Sequence, residues 1–129
     1  MRPSGLKEFE TMDHKHVFAS IYDQIQFGLT RATIETLRIT KSIQPYSVMA
    51  PLASYHHRDA KYHTHLSRVM EEDAAEEKPF RSALVINKEL GRPGAAFFEK
   101  ARQLGHTIPN TEADEIAFWK DQLKKLGVQ

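Results

Sequence analysis

The chain has 129 residues, of which 40% are hydrophobic and 27% are charged, a balance typical of one folded domain rather than of a disordered chain. It has no cysteine, so disulfides, thiolate zinc sites and cysteine nucleophiles are excluded. The net charge is +1, from 18 basic and 17 acidic residues, so binding to nucleic acid would require local segregation of charge.

The first residues, 1–12, contain proline and glycine and have no sustained apolar period. We therefore predict an N-terminal tail followed by a single winged-helix-like domain at 13–129. The tail lacks the apolar core of a signal peptide, and no stretch of the sequence approaches the length of a membrane span. We expect a soluble, cytoplasmic protein that does not associate with a membrane.

The first predicted helix follows Asp13, which is a candidate N-cap. Its apolar residues recur at spacings of one, three and four and form a broad stripe: Val17, Phe18, Ile21, Tyr22, Ile25 and Leu29. After Gly28 this pattern weakens, and several β-branched residues lower the helix propensity. The segment that follows is predicted as either a second short helix ending before Ser42 or an irregular connection.

Two consecutive helices are predicted next. Pro45 starts the first, and Pro51 keeps it short because proline lacks the N–H that a longer helix would use. The apolar face of this helix carries Tyr46, Met49, Ala50 and Ala53. After a polar turn, Asp59 is the predicted N-cap of the second helix. The inward stripe of that helix carries Tyr62, Leu66, Val69 and Met70.

The rest of the chain predicts one strand and two further helices. The apolar run 82–86 is bounded by charge and predicts a buried strand, and the glycines that follow it predict a turn at 88–94. Gly105 closes the next helix, and Thr111 begins the last one in an approximate capping box. We predict a mainly helical α+β fold, in which a helix-turn-helix and a small β wing pack on terminal helices.

Basic residues are concentrated around the second of the paired helices. Its second face carries cationic and hydrogen-bonding side chains at helical spacing, which could contact base edges or phosphates in the major groove. Basic side chains at the tip of the turn after the strand could contact phosphate or the minor groove, as a wing does. The alternative is an ordinary solvated helix. The predicted nucleic-acid contacts are Arg58, Lys61, Thr64, His65, Arg68, Lys88 and Arg92.

The order of these elements resembles the winged-helix DNA-binding part of alkyltransferase-like proteins, in which a tyrosine-led helix precedes the recognition helix. The resemblance covers about residues 45–94 and includes YSVMAPLA, a polar turn, a helix, the segment SALVINK and a glycine-rich turn. Its most specific piece is Tyr46 together with Ala50, three residues after Ser47. The cysteine nucleophile and the Pro-Cys-His-Arg signature are missing. The resemblance therefore implies DNA binding without alkyl transfer.

Catalytic alternatives have less support in the sequence. His63 and His65 are two apart, so on a helix they point about 200° apart and cannot converge on one ion. A restriction-type nuclease core would require an acidic residue at a set position before Lys88, and Asp73 alone does not make a site. We predict no catalytic residue, no metal and no cofactor. The leading hypothesis is a non-catalytic protein that binds double-stranded DNA.

Two other functions remain as alternatives. The first is a protein–protein interaction module, in which an apolar flank docks a protein partner or a second copy as a homodimer. The second is a metal-dependent nuclease.

Overall fold

The computed structural model describes residues 14–128, with side chains from residue 20 onward. Five α-helices in this part of the chain account for most of the structure, which confirms the prediction of a mainly helical fold with a small sheet. Asp13, Val17 and Phe18 lie outside the residues or side chains described. The helices are α1 (His14–Thr40), α2 (Tyr46–Leu52), α3 (Ala60–Ala75), α4 (Ala95–Gln103) and α5 (Glu112–Lys125), and the strands are β1 (Gln44–Pro45) and β2 (Val85–Ile86).

Helix α1 is a single helix of 27 residues, so the predicted break or separate helix after Gly28 is wrong. Its threonine hydroxyls donate to backbone carbonyls one turn back, as Thr30 does to Gln26 at 2.8 Å and Thr36 to Ala32 at 3.0 Å. These bonds satisfy the hydroxyls within the helix, and burial of one face supplies stabilisation that the residue propensities do not. The buried face carries Gln26, Phe27, Thr30, Ile34 and Leu37.

The core contains buried residues from all five helices. All four residues of the predicted α3 stripe are buried, which confirms the inward face of this helix. Asp59 caps α3 as predicted, because its side chain accepts a hydrogen bond from the Lys61 backbone N–H at 2.9 Å. Helix α2 begins directly after Pro45 and ends at Leu52, one residue after Pro51, which confirms that it is short.

The predicted strand at 82–86 is only partly extended. Its first three residues belong to a 3₁₀ helix at Arg81–Leu84, and only Val85–Ile86 forms a strand. This strand pairs in parallel with β1, with Gln44 opposite Val85 and Pro45 opposite Ile86. A short apolar run buried on all sides has no periodicity that distinguishes a strand from a helical turn, which explains the error.

The predicted wing is reduced to a tight turn. Asn87 and Arg92 form an isolated antiparallel bridge, and the Asn87 side-chain oxygen accepts from the backbone N–H groups of Glu89 and Leu90 at 2.9 and 3.1 Å. Gly91 lies in this turn with φ of +70°, a conformation that glycine adopts without strain. We call Asn87–Arg92 the tip turn. The sheet is parallel and does not contain a β-hairpin wing.

Helices α4 and α5 close the domain from the C-terminal side. Trp119 donates from its indole nitrogen to the Ala83 carbonyl at 2.9 Å, and Gln122 accepts from the Phe80 N–H at 2.8 Å. These two bonds hold the 3₁₀ segment against α5. Thr111 caps α5 as predicted, by accepting from the Asp114 N–H. No helix in the described part of the chain has both the length and the hydropathy that a membrane crossing requires.

Candidate nucleic-acid interface

A cleft of about 420 Å³ opens where the residues that follow the two strands meet. Because β1 and β2 are parallel and in register at Pro45 and Ile86, the chain leaves both strands at the same edge. Tyr46 and Asn87 are therefore neighbours despite being 41 positions apart. The turn before α3 forms another wall. The lining consists of Tyr46, Ser47, His57, Arg58, His63, Asn87, Lys88, Glu89 and Gly94.

Tyr46 links two segments that line this cleft. Its hydroxyl oxygen accepts a hydrogen bond from the Gly94 backbone N–H at 2.9 Å, which anchors the chain just beyond the tip turn. Burial raises the pKa of Tyr46, although the bond from Gly94 lowers it in part, so the hydroxyl keeps its proton at neutral pH. The Tyr46 ring meets His63 edge to face, with 4.9 Å between ring centroids.

The histidines in the lining are held by the turn before α3. Nε2 of His63 lies 3.0 Å from the His57 carbonyl, and since a carbonyl can only accept, Nε2 carries the proton and donates it. His57 stacks on His56, with 4.3 Å between ring centroids. Loss of solvation and then repulsion from His56 and Arg58 lower the pKa of His57. His57 is therefore mainly neutral at pH 7.

The cleft also carries uncompensated positive charge. Arg58, Lys61 and Lys88 form no ion pair with any residue that the structure describes, whereas most other cations do. Arg58 and Lys88 both line the cleft, and Lys61 lies exposed in the first turn of α3. Glu89 is the one acidic residue in the lining. Arginine, lysine, hydroxyl and amide donors in one concave site are suited to bind an anion such as phosphate.

His65 does not share an exposed face with Lys61, so this part of the predicted contact set is wrong. It is 2% exposed, stacks against Phe27 and lies 2.9 Å from the Tyr55 hydroxyl. An Arg68 guanidinium nitrogen lies 3.3 Å from Nδ1, which places the proton of the neutral ring on Nε2. Burial lowers the pKa of His65. The error arose because α1 covers a wider sector of α3 than the apolar stripe indicates.

The other predicted contacts are divided between the surface and ion pairs. Thr64 is exposed, and its hydroxyl donates to the Ala60 carbonyl at 3.0 Å. Arg68 is half-buried, lies 3.7 Å above the Phe27 ring and is 3.7 Å from an Asp23 carboxylate oxygen. Its charge is thus compensated by an acidic residue of the same chain.

Arg92 is also engaged within the chain, since its guanidinium lies 3.4 Å from Glu112. The predicted residues that remain accessible without an ion-pair partner in the described structure are Arg58, Lys61, Thr64 and Lys88.

Several lining residues were not predicted, namely Tyr46, Ser47, His57, His63 and Asn87. The signal that would have identified them is the parallel pairing of β1 with β2, since this pairing places the residue after each strand at one edge. Two-residue strands leave too little pattern in the sequence to reveal such a pairing.

A larger cleft of about 870 Å³ surrounds Arg81, and its charged groups compensate one another. Arg81 binds the buried Asp73 carboxylate through Nε at 2.9 Å and lies 3.2 Å from Glu35, while Arg31 binds Glu72 at 2.6 Å. Burial raises the pKa of Asp73, an effect that Arg81 opposes. Asp73, the acid considered for a nuclease, is therefore part of a structural ion pair. Among the described residues, no three histidine, aspartate or glutamate side chains converge as metal ligands.

The arrangement of elements neither confirms nor excludes the resemblance to alkyltransferase-like winged-helix domains, which stays a prediction. Helices α2 and α3 follow each other as that resemblance requires, but a seven-residue connection at 53–59 joins them and the tip turn replaces a hairpin. Comparison with protein-family models, curated proteins and solved structures finds no match to this chain.

Proposed function

We propose that this protein binds double-stranded DNA without catalysis, by seating a backbone phosphate in the cleft between the turn before α3 and the tip turn. The observation that carries the proposal is that Arg58 and Lys88 line the same cleft, and neither has an ion-pair partner in the described part of the chain. Phosphate contacts of this kind supply much of the affinity of DNA-binding proteins. A cytoplasmic location is part of the same proposal.

Each cleft residue has a defined part in this proposal. Arg58 supplies a planar guanidinium that can donate two hydrogen bonds to one phosphate, and Lys88 supplies a mobile point charge. Ser47 and the amide of Asn87 add neutral donors to the lining. Lys61 and Thr64 are exposed on α3, the helix that follows Arg58 in the chain, where they could contact a neighbouring phosphate or a base edge.

In this proposal, α2 and α3 serve as the helix-turn-helix and the tip turn serves as the wing. What supports it is the exposure of Lys61 on α3 and of Lys88 on the tip turn. The Tyr46–Gly94 hydrogen bond joins α2 to the chain just beyond the tip turn. His65, Arg68 and Arg92 are left out of the contact set, because the first is buried and the others bind acidic residues of the same chain.

A titration of labelled mixed-sequence duplex at several salt concentrations tests the proposal. Arg58→Ala and Lys88→Ala should each weaken binding by a similar factor on every sequence and reduce the slope of log K against log salt by about 1, as expected for a lost phosphate contact. Lys120→Ala is the matched control, because it removes an exposed lysine on α5, far from the cleft along the chain and absent from its lining.

The proposal fails if the wild-type protein does not bind duplex at low salt, or if Lys120→Ala weakens binding as much as Lys88→Ala. Competition with inorganic phosphate and with single-stranded DNA should be run in parallel. Displacement by millimolar phosphate alone would identify a small-anion site instead of a duplex-binding one.

A further inference from the structure

His57 lines the phosphate cleft, but the DNA contact proposed above gives it no part. It is partly exposed, and its backbone carbonyl accepts the hydrogen bond from Nε2 of His63 at 3.0 Å. The His57 ring forms no hydrogen bond with any residue that the structure describes. The ring stacks on His56, and stacking covers a face of the ring while both nitrogens stay at its edge. Both nitrogens are therefore available to a bound ligand.

His63, the other histidine of the lining, is held more firmly within the fold. One of its ring nitrogens donates to the His57 carbonyl. Its ring also packs edge to face against Tyr46 and Tyr62, with 4.9 and 5.8 Å between ring centroids. Of the two imidazoles in the cleft, that of His57 is thus the one that can turn both nitrogens toward an anion.

The charge around His57 is mainly positive. Glu89 is the one acidic residue in the lining, against Arg58 and Lys88. A proton on His57 would therefore add to positive charge that is already present. Loss of solvation lowers the pKa of His57 first, and repulsion from His56, Arg58 and His63 lowers it further. The titratable or charged groups on the segments around His57 are His56, Arg58 and Asp59 before α3, Lys61 and His63 on α3, Tyr46 on α2, and Lys88 and Glu89 on the tip turn.

We propose that His57 is a protonatable ligand for the phosphate in this cleft, so that DNA binding is coupled to the uptake of a proton. The inference rests on the proposed phosphate site and names the residue that regulates it. A seated phosphate brings negative charge beside the imidazole and favours its protonated form. The imidazolium in return donates a charge-assisted hydrogen bond to a phosphate oxygen. Binding should therefore strengthen as the pH decreases from 8 to 6.

The size of this effect is limited by the number of protons taken up. Uptake of one full proton strengthens binding by about tenfold for each pH unit, and partial uptake gives less. We expect the affinity for duplex to rise by roughly threefold to tenfold between pH 8 and pH 6 at constant salt. A DNA phosphodiester keeps the same charge over this range, so the change must come from the protein.

Fluorescence anisotropy with a labelled mixed-sequence duplex, at fixed salt and several pH values, tests the role of His57. His57→Gln cannot gain a proton and should bind with nearly constant affinity. His57→Lys is charged throughout this range and should bind at pH 8 about as tightly as the wild type does at pH 6. Both substitutions keep the backbone carbonyl that His63 binds, so both variants should fold, as far-UV circular dichroism can verify.

His106→Gln is the matched control, because it removes an exposed histidine that is absent from the cleft lining. It should keep the pH dependence of the wild type. A pH dependence in His57→Gln equal to that of the wild type, or an equal loss in His106→Gln, would overturn the proposal.

NMR titration of the histidine ring signals gives a second, direct measurement. The pKa of His57 should be higher in the presence of the duplex than in its absence, and equal values would overturn the proposal. Duplex binding that is independent of pH in the wild type would remove the role of His57 and leave the phosphate site intact. No duplex binding at any pH would overturn both proposals.

Discussion

The hydroxyl groups of two neighbouring tyrosines provide a matched test of the structure. Tyr46 accepts a hydrogen bond from Gly94 N–H at 2.9 Å, whereas the buried Tyr62 hydroxyl has no hydrogen-bond partner within the described part of the chain. Replacing either tyrosine by phenylalanine removes one oxygen and leaves the ring in place. Tyr46→Phe leaves the Gly94 N–H without its hydrogen-bond acceptor, while Tyr62→Phe removes a hydroxyl that is costly to bury unpaired.

The expected changes in unfolding free energy have opposite signs. Tyr46→Phe should destabilise the protein by about 1–2 kcal/mol, the cost of a lost hydrogen bond with a partly buried donor left over. Tyr62→Phe should be neutral or should stabilise the protein by up to about 1 kcal/mol. At this chain length, 1 kcal/mol corresponds to a Tm change of roughly 3–5 °C.

Urea unfolding followed by circular dichroism, with thermal scans as a second measurement, determines both values. Tyr46→Phe should also weaken duplex binding, because the Gly94 anchor positions the tip turn and Lys88, while Tyr62→Phe should leave binding unchanged. A loss of stability in Tyr62→Phe equal to that in Tyr46→Phe would refute the argument, because it would show that the Tyr62 hydroxyl is satisfied in the native state.

Three further changes should alter stability in defined ways. Asp73→Ala should lower the free energy of unfolding by about 3 kcal/mol in urea, because it leaves Arg81 without its buried partner. Glu76→Ala breaks an exposed pair and should have no measurable effect. Equal effects of the two variants would contradict the structural role of Asp73. Burial lowers the pKa of His65 from its ordinary value of 6.5, although Asp23 opposes this shift. The unfolded chain therefore binds more protons than the folded one as the pH decreases through and below 6.5, and stability should fall there. His65→Phe should flatten the profile in this range, and an unchanged profile would exclude this cause. Asp59→Ala should cost about 1 kcal/mol through loss of the α3 cap, and a far smaller loss would show that the cap contributes little.

The helices and their caps were accessible from the sequence because their signals are local. The stripe of α3 and the caps at Asp59 and Thr111 each depend on residues within one or two turns, and the structure confirms them. The continuity of α1 through Gly28 was not accessible in this way, because it depends on burial of Ile34 and Leu37 against other elements. Local propensity alone underestimates such a helix.

The candidate site was predicted less well than the fold, because it depends on a long-range pairing. Arg58 and Lys88 were identified as charged residues near turns, but nothing local indicates that they share a cleft. His65 was assigned to the surface because periodicity describes one inward stripe, whereas Phe27 and Tyr55 cover a second side of α3. The apolar stripe on α1 was detected in the sequence, yet Ile21 and Ile25 face outward, since periodicity reveals an amphipathic helix without showing what lies against it.

The two-residue parallel sheet makes the cleft sensitive to chain length. Strand residues advance about 3.3 Å each and alternate in direction, so a slip of one position would carry Tyr46 away from Gly94 and turn its neighbours to the opposite side. One residue inserted between Ser42 and Gln44 would shift this register while every helix kept its full sequence. Insertions in the exposed connection at 105–107 should be accommodated without such an effect. Residues 42–46 and 85–94 therefore have fixed spacing requirements even where their side chains can vary.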